Sequence, residues 1–590
     1  MLFTMKIDKI RIKGFRNFQD EEITLQKKTL IIGANDVGKT NFLYALRILF
    51  DKSITDQDLE LAPSDYNAYV NADRIEITVT LVDITEDFLL STFRGYVKDG
   101  ITLIRYTNQK DGTYKFYQGY NEETLQHTEF ETRQYIKRLN MQYVDTNRDL
   151  MSFLRREKAQ LLQAAKERRE PEAVIKDNEY ISGIQSDLDK IHEKISSLDY
   201  VSSALNDVNT ELSSLSINNG DQSVKFIAGN TDASKLLENL SLTYSSEDAP
   251  LTIGGDGRNN QIFIATWVTR QNSRKNENQV TFYAIEEPEA HLHPHQQKRL
   301  SEYIQDKLDS QVFVTSHSPH IASKFDPGNI VRLYSKNKLT YAACGGCNKS
   351  LKKVLHDFGY RLNPISSETF FSDGVFLVEG TSEVIFYTAL AHENNLDLNW
   401  YNISILSVEG IGFMPYIAVC NALDIPWVAR TDNDIFLKPK SNPSVKHYAG
   451  ISRTMNIISL ICDSNNTLVQ YWALHKTENE WPSSGPIPEN AKMLNRYIRK
   501  EAQKYGMFIS EIDLENDLAS SELKDALLKY YDKNRKDSLV KAMQTKKAEN
   551  MFGFVSENCN KLQNANKTGL ILPLLRLSDM ITERVHPHGD

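Results

Sequence analysis

The sequence predicts an α/β protein built from two alternating strand–helix units, the first interrupted by a helical insertion and the second closed by helices. Three observations carry this. The apolar run Thr29-Leu30-Ile31-Ile32 passes straight into a glycine loop and then into the helical pattern NFLYALRILF. A second buried-type run, GVFLVEG from Gly374, is followed by ISILSVEG and IPWVARTDND. Acidic residues there fall at the carboxyl ends of strands, where open parallel sheets bind ligands. Between these units, from about Thr132 to Leu215, the chain becomes charged and glycine-poor, with apolar residues at helical spacing.

At 590 residues the chain has room for about three to five domains of roughly 100–200 residues. Hydrophobic residues at 40% and charged residues at 25% describe a folded chain and exclude a disordered one. Subtracting 78 Asp+Glu from 69 Lys+Arg leaves −9, so any contact with nucleic acid must use a local basic surface. Five scattered cysteines fit a reducing compartment better than a disulfide framework. No run approaches the roughly 18 apolar residues of a membrane span, and a cytoplasmic protein with no membrane association is expected.

Taken in order, Lys6 to Leu30 alternates, Arg74 to Val82 and the turn-punctuated stretch from Gly100 to Tyr120 predict an antiparallel layer, and strands return at Thr281–Glu286 and Gln311–Thr315. The expected segments are 1–131, the insertion 132–240, a return to the first unit over 241–350, and the second unit with its helices over 351–590.

Gly33-Ala34-Asn35-Asp36-Val37-Gly38-Lys39-Thr40 matches the G-x4-G-K-[ST] phosphate loop in full. Gly33, Asn35 and Gly38 belong to a backbone that wraps phosphates, Lys39 reaches the β/γ oxygens, and the Thr40 hydroxyl suits Mg²⁺. The bland alternative is a Gly/Asn turn ending in Lys-Thr. The strand Phe282–Ile285 ends in Glu286 and Glu287, a metal partner and a base for the attacking water of ATP hydrolysis. Three histidines follow (His291, His293, His295), but the geometry after Pro288 points them apart, against a zinc site. Val312–Ser316 ends in His317, placed to meet a γ-phosphate. Cys344-Gly-Gly-Cys347 lacks the second pair that zinc requires, with His356 the one nearby candidate.

In the second unit Glu379 ends a strand and Glu383 falls in the next helical turn, so both carboxylates can reach one point. Asp432 and Asp434 form an Asp-x-Asp where alternate side chains share a face. Four such acids repel one another unless cations lie between them, and hard oxygen ligands suit Mg²⁺ or Mn²⁺. The plain alternative is a solvated acidic rim. Lys529 to Lys547 carries seven Lys/Arg against two Asp, a run able to follow a DNA backbone or simply to face solvent.

The set GANDVGKT, AIEEPEAHLHP and VTSHSP resembles the ABC-type ATPases of the SMC and RecF kind, and VFLVEGTSE with TDND resembles a TOPRIM domain. An ABC ATPase with a helical insertion, followed by a TOPRIM domain and C-terminal helices, is similar to the OLD family of ATP-dependent nucleases, class 2 members above all. The resemblance implies that His317 is the switch histidine. It also implies that Leu251–Gly257 with Gln261 takes the place of the signature loop, although that loop departs from Leu-Ser-Gly-Gly. Through EIDLENDL it implies Asp513 and Glu515 as further ligands of a two-metal site, and Lys547, with Lys546 as the neighbouring alternative, as catalytic lysine. Dimerisation through the insertion, a homo-oligomer (dimer or tetramer), double-stranded DNA as substrate, ATP with Mg²⁺, a role in anti-phage defence and a UvrD-like helicase partner are likewise implied.

The expectation is thus a divalent-metal-dependent DNA endonuclease whose ATPase half regulates it, by hydrolysing ATP or by sensing it. The rivals are a DNA-binding repair ATPase of the SMC/RecF class that does not cut, and a topoisomerase. The latter needs a positioned tyrosine, and Tyr505, Tyr530 and Tyr531 lie in no motif of that kind.

Overall fold

The computed structural model describes residues 5–130, 132–146, 153, 162–163, 165–167, 169–215, 224, 233, 244–246, 249–251, 255–273, 278–347, 368–409, 412–438 and 444–585. Its chain divides into two units. The larger comprises Met1–Thr146, Asn276–Glu289 and His293–Asp590, and the smaller Asn147–Lys275 with Ala290–Leu292.

The larger unit begins with β1 (Lys6–Phe15), β2 (Phe18–Thr24), β3 (Lys28–Ile32), β4 (Arg74–Val82), β5 (Thr102–Gln109), β6 (Tyr114–Gly119), β7 (Glu129–Phe130) and β8 (Leu139–Val144). In β1, Ile10 and Ile12 are buried while Arg11 and Lys13 are exposed, the alternation of a sheet with one wet face. Antiparallel pairing in the order β2-β1-β4-β5-β6-β7 builds that layer.

In the smaller unit a short hairpin joins β9 (Tyr244–Ser246) to β10 (Ala249–Leu251). A 26-residue helix, Pro171–Ser196, starts on a proline, whose missing N–H and fixed φ suit the first turn. None of its described side chains is buried, and Ile175, Tyr180 and Ile191 are more than half exposed. A second helix, Asp256–Ser273, packs Phe263 against Phe153 with ring centroids 4.1 Å apart.

The larger unit resumes with β11 (Val280–Glu286), β12 (Val312–Ser316), β13 (Ile330–Lys336) and β14 (Leu339–Ala342). They join the earlier strands in the order β14-β13-β3-β12-β11-β8, parallel from β13 to β8. Every residue of β12 is buried, as expected of a parallel strand covered on both faces. The register sets Ile32 beside Ser316 and Thr315 beside Glu286, so the glycine loop, the acidic pair and His317 leave the sheet along one edge. Helix Lys39–Phe50 inserts Phe42, Leu46 and Phe50 into a core shared with Ile12, Ile77 and Phe282.

Four further parallel strands, β15 (Gly374–Val378), β16 (Ile403–Ser407), β17 (Trp427–Thr431) and, after the antiparallel β18 (Ile435–Leu437), β19 (Val445–Tyr448) and β20 (Glu480–Pro482), β21 (Met507–Ile509), order as β16-β15-β17-β21. Helices Thr381–Glu393, Lys547–Asn558 and Leu572–Val585 cover this sheet through Phe386, Phe554 and Leu577.

Candidate functional site

The glycine loop follows β3 without interruption, and its glycines are needed for space as much as for shape. A Cβ on Gly33 (φ +153°) would lie 2.3 Å from the Leu333 carbonyl oxygen, and one on Gly38 (φ +101°) would meet the Asn17 side chain. Lys39 is buried and turns its Nζ back onto the loop carbonyls of Gly33 (3.1 Å) and Ala34 (2.7 Å). Burial pulls its pKa down to about 8 against the pull of Glu287 and Glu286. A partly desolvated ammonium of this kind is suited to a phosphate. Asn35 is exposed in the loop.

Thr40 Oγ1 and the Tyr143 hydroxyl both donate to Glu286, which holds that carboxylate beside the loop. Glu287 turns out of β11 in the left-handed region (φ 43°) and meets His317 Nε2 at 3.1 Å. Burial, with Lys39 nearby, lowers the His317 pKa, so its imidazole favours the neutral form. Glu289 is a residue that motif reasoning passed over. It accepts from Ser316 Oγ (2.6 Å) and the His317 backbone N–H (2.7 Å), and its other oxygen is buried without a hydrogen bond. Of the expected signature loop, 252–254 lie outside the described residues. Gly257 stands where a Cβ would come within 2.4 Å of the His291 carbonyl.

The acidic site sits at the carboxyl ends of β15, β17 and β21. Glu383 closes the first turn of its helix by accepting from the Glu379 (2.6 Å) and Gly380 (3.0 Å) N–H groups. Glu379 accepts from the Asp432 N–H (2.9 Å), the Thr431 hydroxyl (2.6 Å) and Arg453. Glu379, Glu383 and Asp432 are thereby brought together. Asp434 stands past the strand end, in the turn leading to β18, so the Asp-x-Asp is a loop and not the alternating strand expected. From β21 the chain reaches Asp513, the cap of helix Leu514–Leu518, which accepts from the Asn516 N–H (2.7 Å) and Gln544 Nε2 (2.6 Å). Glu515 is buried against Lys547 Nζ at 3.0 Å. Lys546 instead pairs with the exposed Glu549, so Lys547 is the lysine of the two that faces the acids.

The electrostatics record a crowd of anions. Burial, then Glu383 and Glu379, pushes Asp432 up to about 8, and burial pushes Glu383 up to about 7. Asp434 and Glu515 are raised by burial as well. Burial opposes the Lys547 charge, but Glu515, Asp432 and Asp513 outweigh it and its pKa rises. Among the described residues no three acids, histidines or cysteines already converge as a cage for an ion. Glu379, Glu383, Asp513 and Glu515 are each drawn to donors of their own. The set nonetheless fits a divalent cation in chemistry: hard oxygens, a proton affinity raised at Asp432 and Asp434 by burial first and by neighbouring carboxylates second, and Glu383 Oε1 buried with no hydrogen bond, its nearest cation, Arg430 Nε, being 4.0 Å away. Arg453, Arg430, Gln544 and Thr431 had no sequence signal, since each lies in an ordinary helix or strand far along the chain from its partner.

Cys344 is exposed and Cys347 half-buried, its thiol pushed up to about 12 by burial, and His356 lies outside the described residues. Among the described residues no helix is long and apolar enough to cross a membrane.

The model of the AAA ATPase domain family matches residues 5–322, and that of the overcoming lysogenization defect protein-like TOPRIM domain matches 370–434. Endonuclease GajA of Bacillus cereus (strain VD045) is 26% identical over 544 residues, covering 88% of this chain and 90% of that protein. The OLD nuclease of Thermus scotoductus (strain ATCC 700910 / SA-01) is 29% identical over 222 residues, 35% of this chain and 41% of that one. A solved structure of the C-terminal region of the Xanthomonas campestris pv. campestris OLD protein is 21% identical, covering 38% of this chain and all of its own, but its TM-score of 0.22 is too low to support any argument. With one model spanning more than half of the 590 residues and the second falling on the acidic sheet, the chain belongs to the AAA ATPase domain family, in the OLD-type arrangement where a TOPRIM domain follows the ATPase.

Proposed function

We infer that the chain is an ATP-binding, divalent-metal-dependent DNA endonuclease, and that its place is in anti-phage defence as the nuclease subunit of a Gabija-type system. Homology to endonuclease GajA over nearly the whole chain, with an ATPase and a TOPRIM domain in series, supports the activity. The observation that carries it is the crowding of acids at the ends of β15, β17 and β21 around Lys547.

In this reading Glu379, Glu383, Asp432, Asp434, Asp513 and Glu515 hold Mg²⁺ or Mn²⁺. When bound, two such ions supply an activated water and neutralise charge on the attacking and leaving oxygens of the phosphodiester. Lys547 adds a fixed positive charge beside the scissile phosphate, and Thr431 and the Asp432 N–H keep Glu379 oriented. In the other half Gly33, Asn35, Gly38, Lys39 and Thr40 bind ATP with Mg²⁺, Glu286 orients the metal's shell, and Glu287 with His317 addresses the γ-phosphate. Double-stranded DNA is the substrate, a UvrD-like helicase the partner and the cytoplasm the location. The exposed apolar side chains of helix Pro171–Ser196 support a homo-oligomer.

A plasmid-nicking assay with Mg²⁺ or Mn²⁺, with and without ATP, tests the reading. Wild type cuts, and Glu379→Ala does not. Undiminished cutting by Glu379→Ala moves the nuclease centre elsewhere, and no cutting by any form favours the SMC/RecF-type ATPase.

A further inference from the structure

The β13–β14 hairpin touches both sites' supports. On one side it braces the glycine loop. Arg332 in β13 is paired in register with Ile32, the residue before Gly33, and the Leu333 carbonyl lies against Gly33 so closely that no Cβ fits between them. From β14, Thr340 Oγ1 donates to the Val37 carbonyl of the same loop at 2.8 Å. On the other side the hairpin grips the starts of the strands that end in acids. Arg332 is 3% exposed, and its guanidinium donates to the carbonyls of Ser372 (2.8 Å) and Leu423 (3.3 Å) and to Asp373 Oδ1 (3.1 Å).

Ser372 and Asp373 immediately precede β15, and Leu423 shortly precedes β17. The Val375 N–H donates to the Pro426 carbonyl (2.9 Å), tying the two strand starts to each other. Tyr334 adds a second grip: its ring carries the Arg584 guanidinium at 4.5 Å, and Arg584 in turn holds the Asp424 carbonyl. The two strands between this grip and Glu379 or Asp432 are five residues each, buried and hydrogen-bonded to one another. An element of that kind moves as a piece, since close-packed interiors transmit displacement and do not absorb it.

A buried guanidinium is a costly way to join two sheets, because an apolar side chain would fill the volume without desolvating a charge. Its fork is suited to something else: it fixes two carbonyls and a carboxylate from two separate strand starts in one geometry. We propose that the β13–β14 hairpin couples nucleotide at the glycine loop to the acidic site, with Arg332 as the positioning residue that transfers a shift of the loop to the starts of β15 and β17. This deepens the proposed ATP-regulated nuclease and rests on that reading for its consequence, although the coupling itself is measurable without DNA.

Hydrogen exchange on the full chain, with and without a non-hydrolysable ATP analogue, tests it. In wild type the analogue changes amide protection over 374–379 and 427–432. In Arg332→Met that nucleotide-dependent difference disappears while the analogue still binds, its affinity shifted by no more than the coupling itself, about fivefold. A merely structural arginine would alter protection equally with and without nucleotide. If wild type shows no such difference, or Arg332→Met keeps it, the proposal is overturned. Should Arg332→Met not fold, Asp373→Ala removes the half-exposed partner at the start of β15 and carries the same expectation. Nicking assays on the same proteins separate the two ideas. Any effect of the analogue on wild-type cutting, about fivefold or more for a typical coupling, is lost in the variant. Absence of all cutting sinks the nuclease reading and leaves the exchange result to stand.

Discussion

The glycine loop and the acidic site both sit where parallel strands end, yet they are built on opposite principles. The loop is made from one continuous stretch, Gly33 to Thr40, and its chemistry is mostly backbone: N–H groups, glycines forced by the Leu333 and Asn17 contacts, and a single lysine. The acidic site is assembled from segments as distant as Glu379 and Lys547, and its candidate ligands are all side chains. Charge differs too. Around the loop Lys39 faces Glu286 and Glu287, whereas the acids of the second site outnumber the cations among them, and burial raises the proton affinity of Glu383, Asp432, Asp434 and Glu515. A phosphate site can fold complete from a local motif. A site for divalent cations stores repulsion until its ligand arrives.

That contrast predicts its own largest test. Glu379→Ala should reduce DNA cleavage well beyond the roughly 10–100-fold that a supporting residue costs, and it should leave nucleotide binding untouched; loss of both in a folded protein would mean the sites are not separable. Next, Lys39→Ala should weaken ATP binding by roughly ten- to a hundredfold, the worth of hydrogen bonds to a charged group, with calorimetry as the measurement and metal uptake at the acids unchanged.

The stored repulsion has a pH signature. Asp432 has its pKa raised in the folded protein to about 8 from an ordinary 3.8, so the native state binds more protons than the unfolded state between those values. Its contribution to stability is therefore intact at low pH and is lost as pH rises toward 8. In chelator at pH 8, Asp432→Asn should be more stable than wild type by roughly 1–3 kcal/mol, the scale of a buried polar group left poorly compensated. The difference should shrink toward pH 4 and also on adding Mg²⁺ to wild type. Thermal melts across that range decide it, and an unstable Asp432→Asn at pH 8 would remove the electrostatic basis of the second site. The smallest effect belongs to a residue in neither site: Cys344→Ser should change stability by no more than about 0.5 kcal/mol, since the exposed thiol donates to the Asn421 carbonyl at 3.6 Å and a serine hydroxyl can make the same donation, and a larger loss that zinc reverses would add a metal site where none is expected.

Much of this was legible in the order of residues. The run from Thr29 to Phe50 encodes strand, loop and helix because glycine conformational freedom, Lys-Thr chemistry and helical periodicity are local properties. Glu379 and Glu383 were legible for the same reason, a strand end and the first helical turn being four residues apart. Asp513, Glu515 and Lys547 came from family resemblance, as nothing in EIDLENDL or QTKK says which strand end they will face. Arg453, Gln544, Arg430 and Glu289 were not legible at all. Nor was Arg332, which no motif in IVRLYSK marks and which is buried with its guanidinium on the Ser372 and Leu423 carbonyls.

By itself, then, the sequence determined the strand–helix alternation, the phosphate loop and the existence of an acid-rich second unit, because each depends on neighbours within about one turn or strand. Only the tertiary structure decided that Lys547 and not Lys546 faces the acids, that Asp434 lies in a turn, and that an arginine of the first sheet grips the strands of the second. Those outcomes depend on parallel pairing and burial between residues tens to hundreds of positions apart, where the free energy comes from removing groups from water together and no local pattern records the partner.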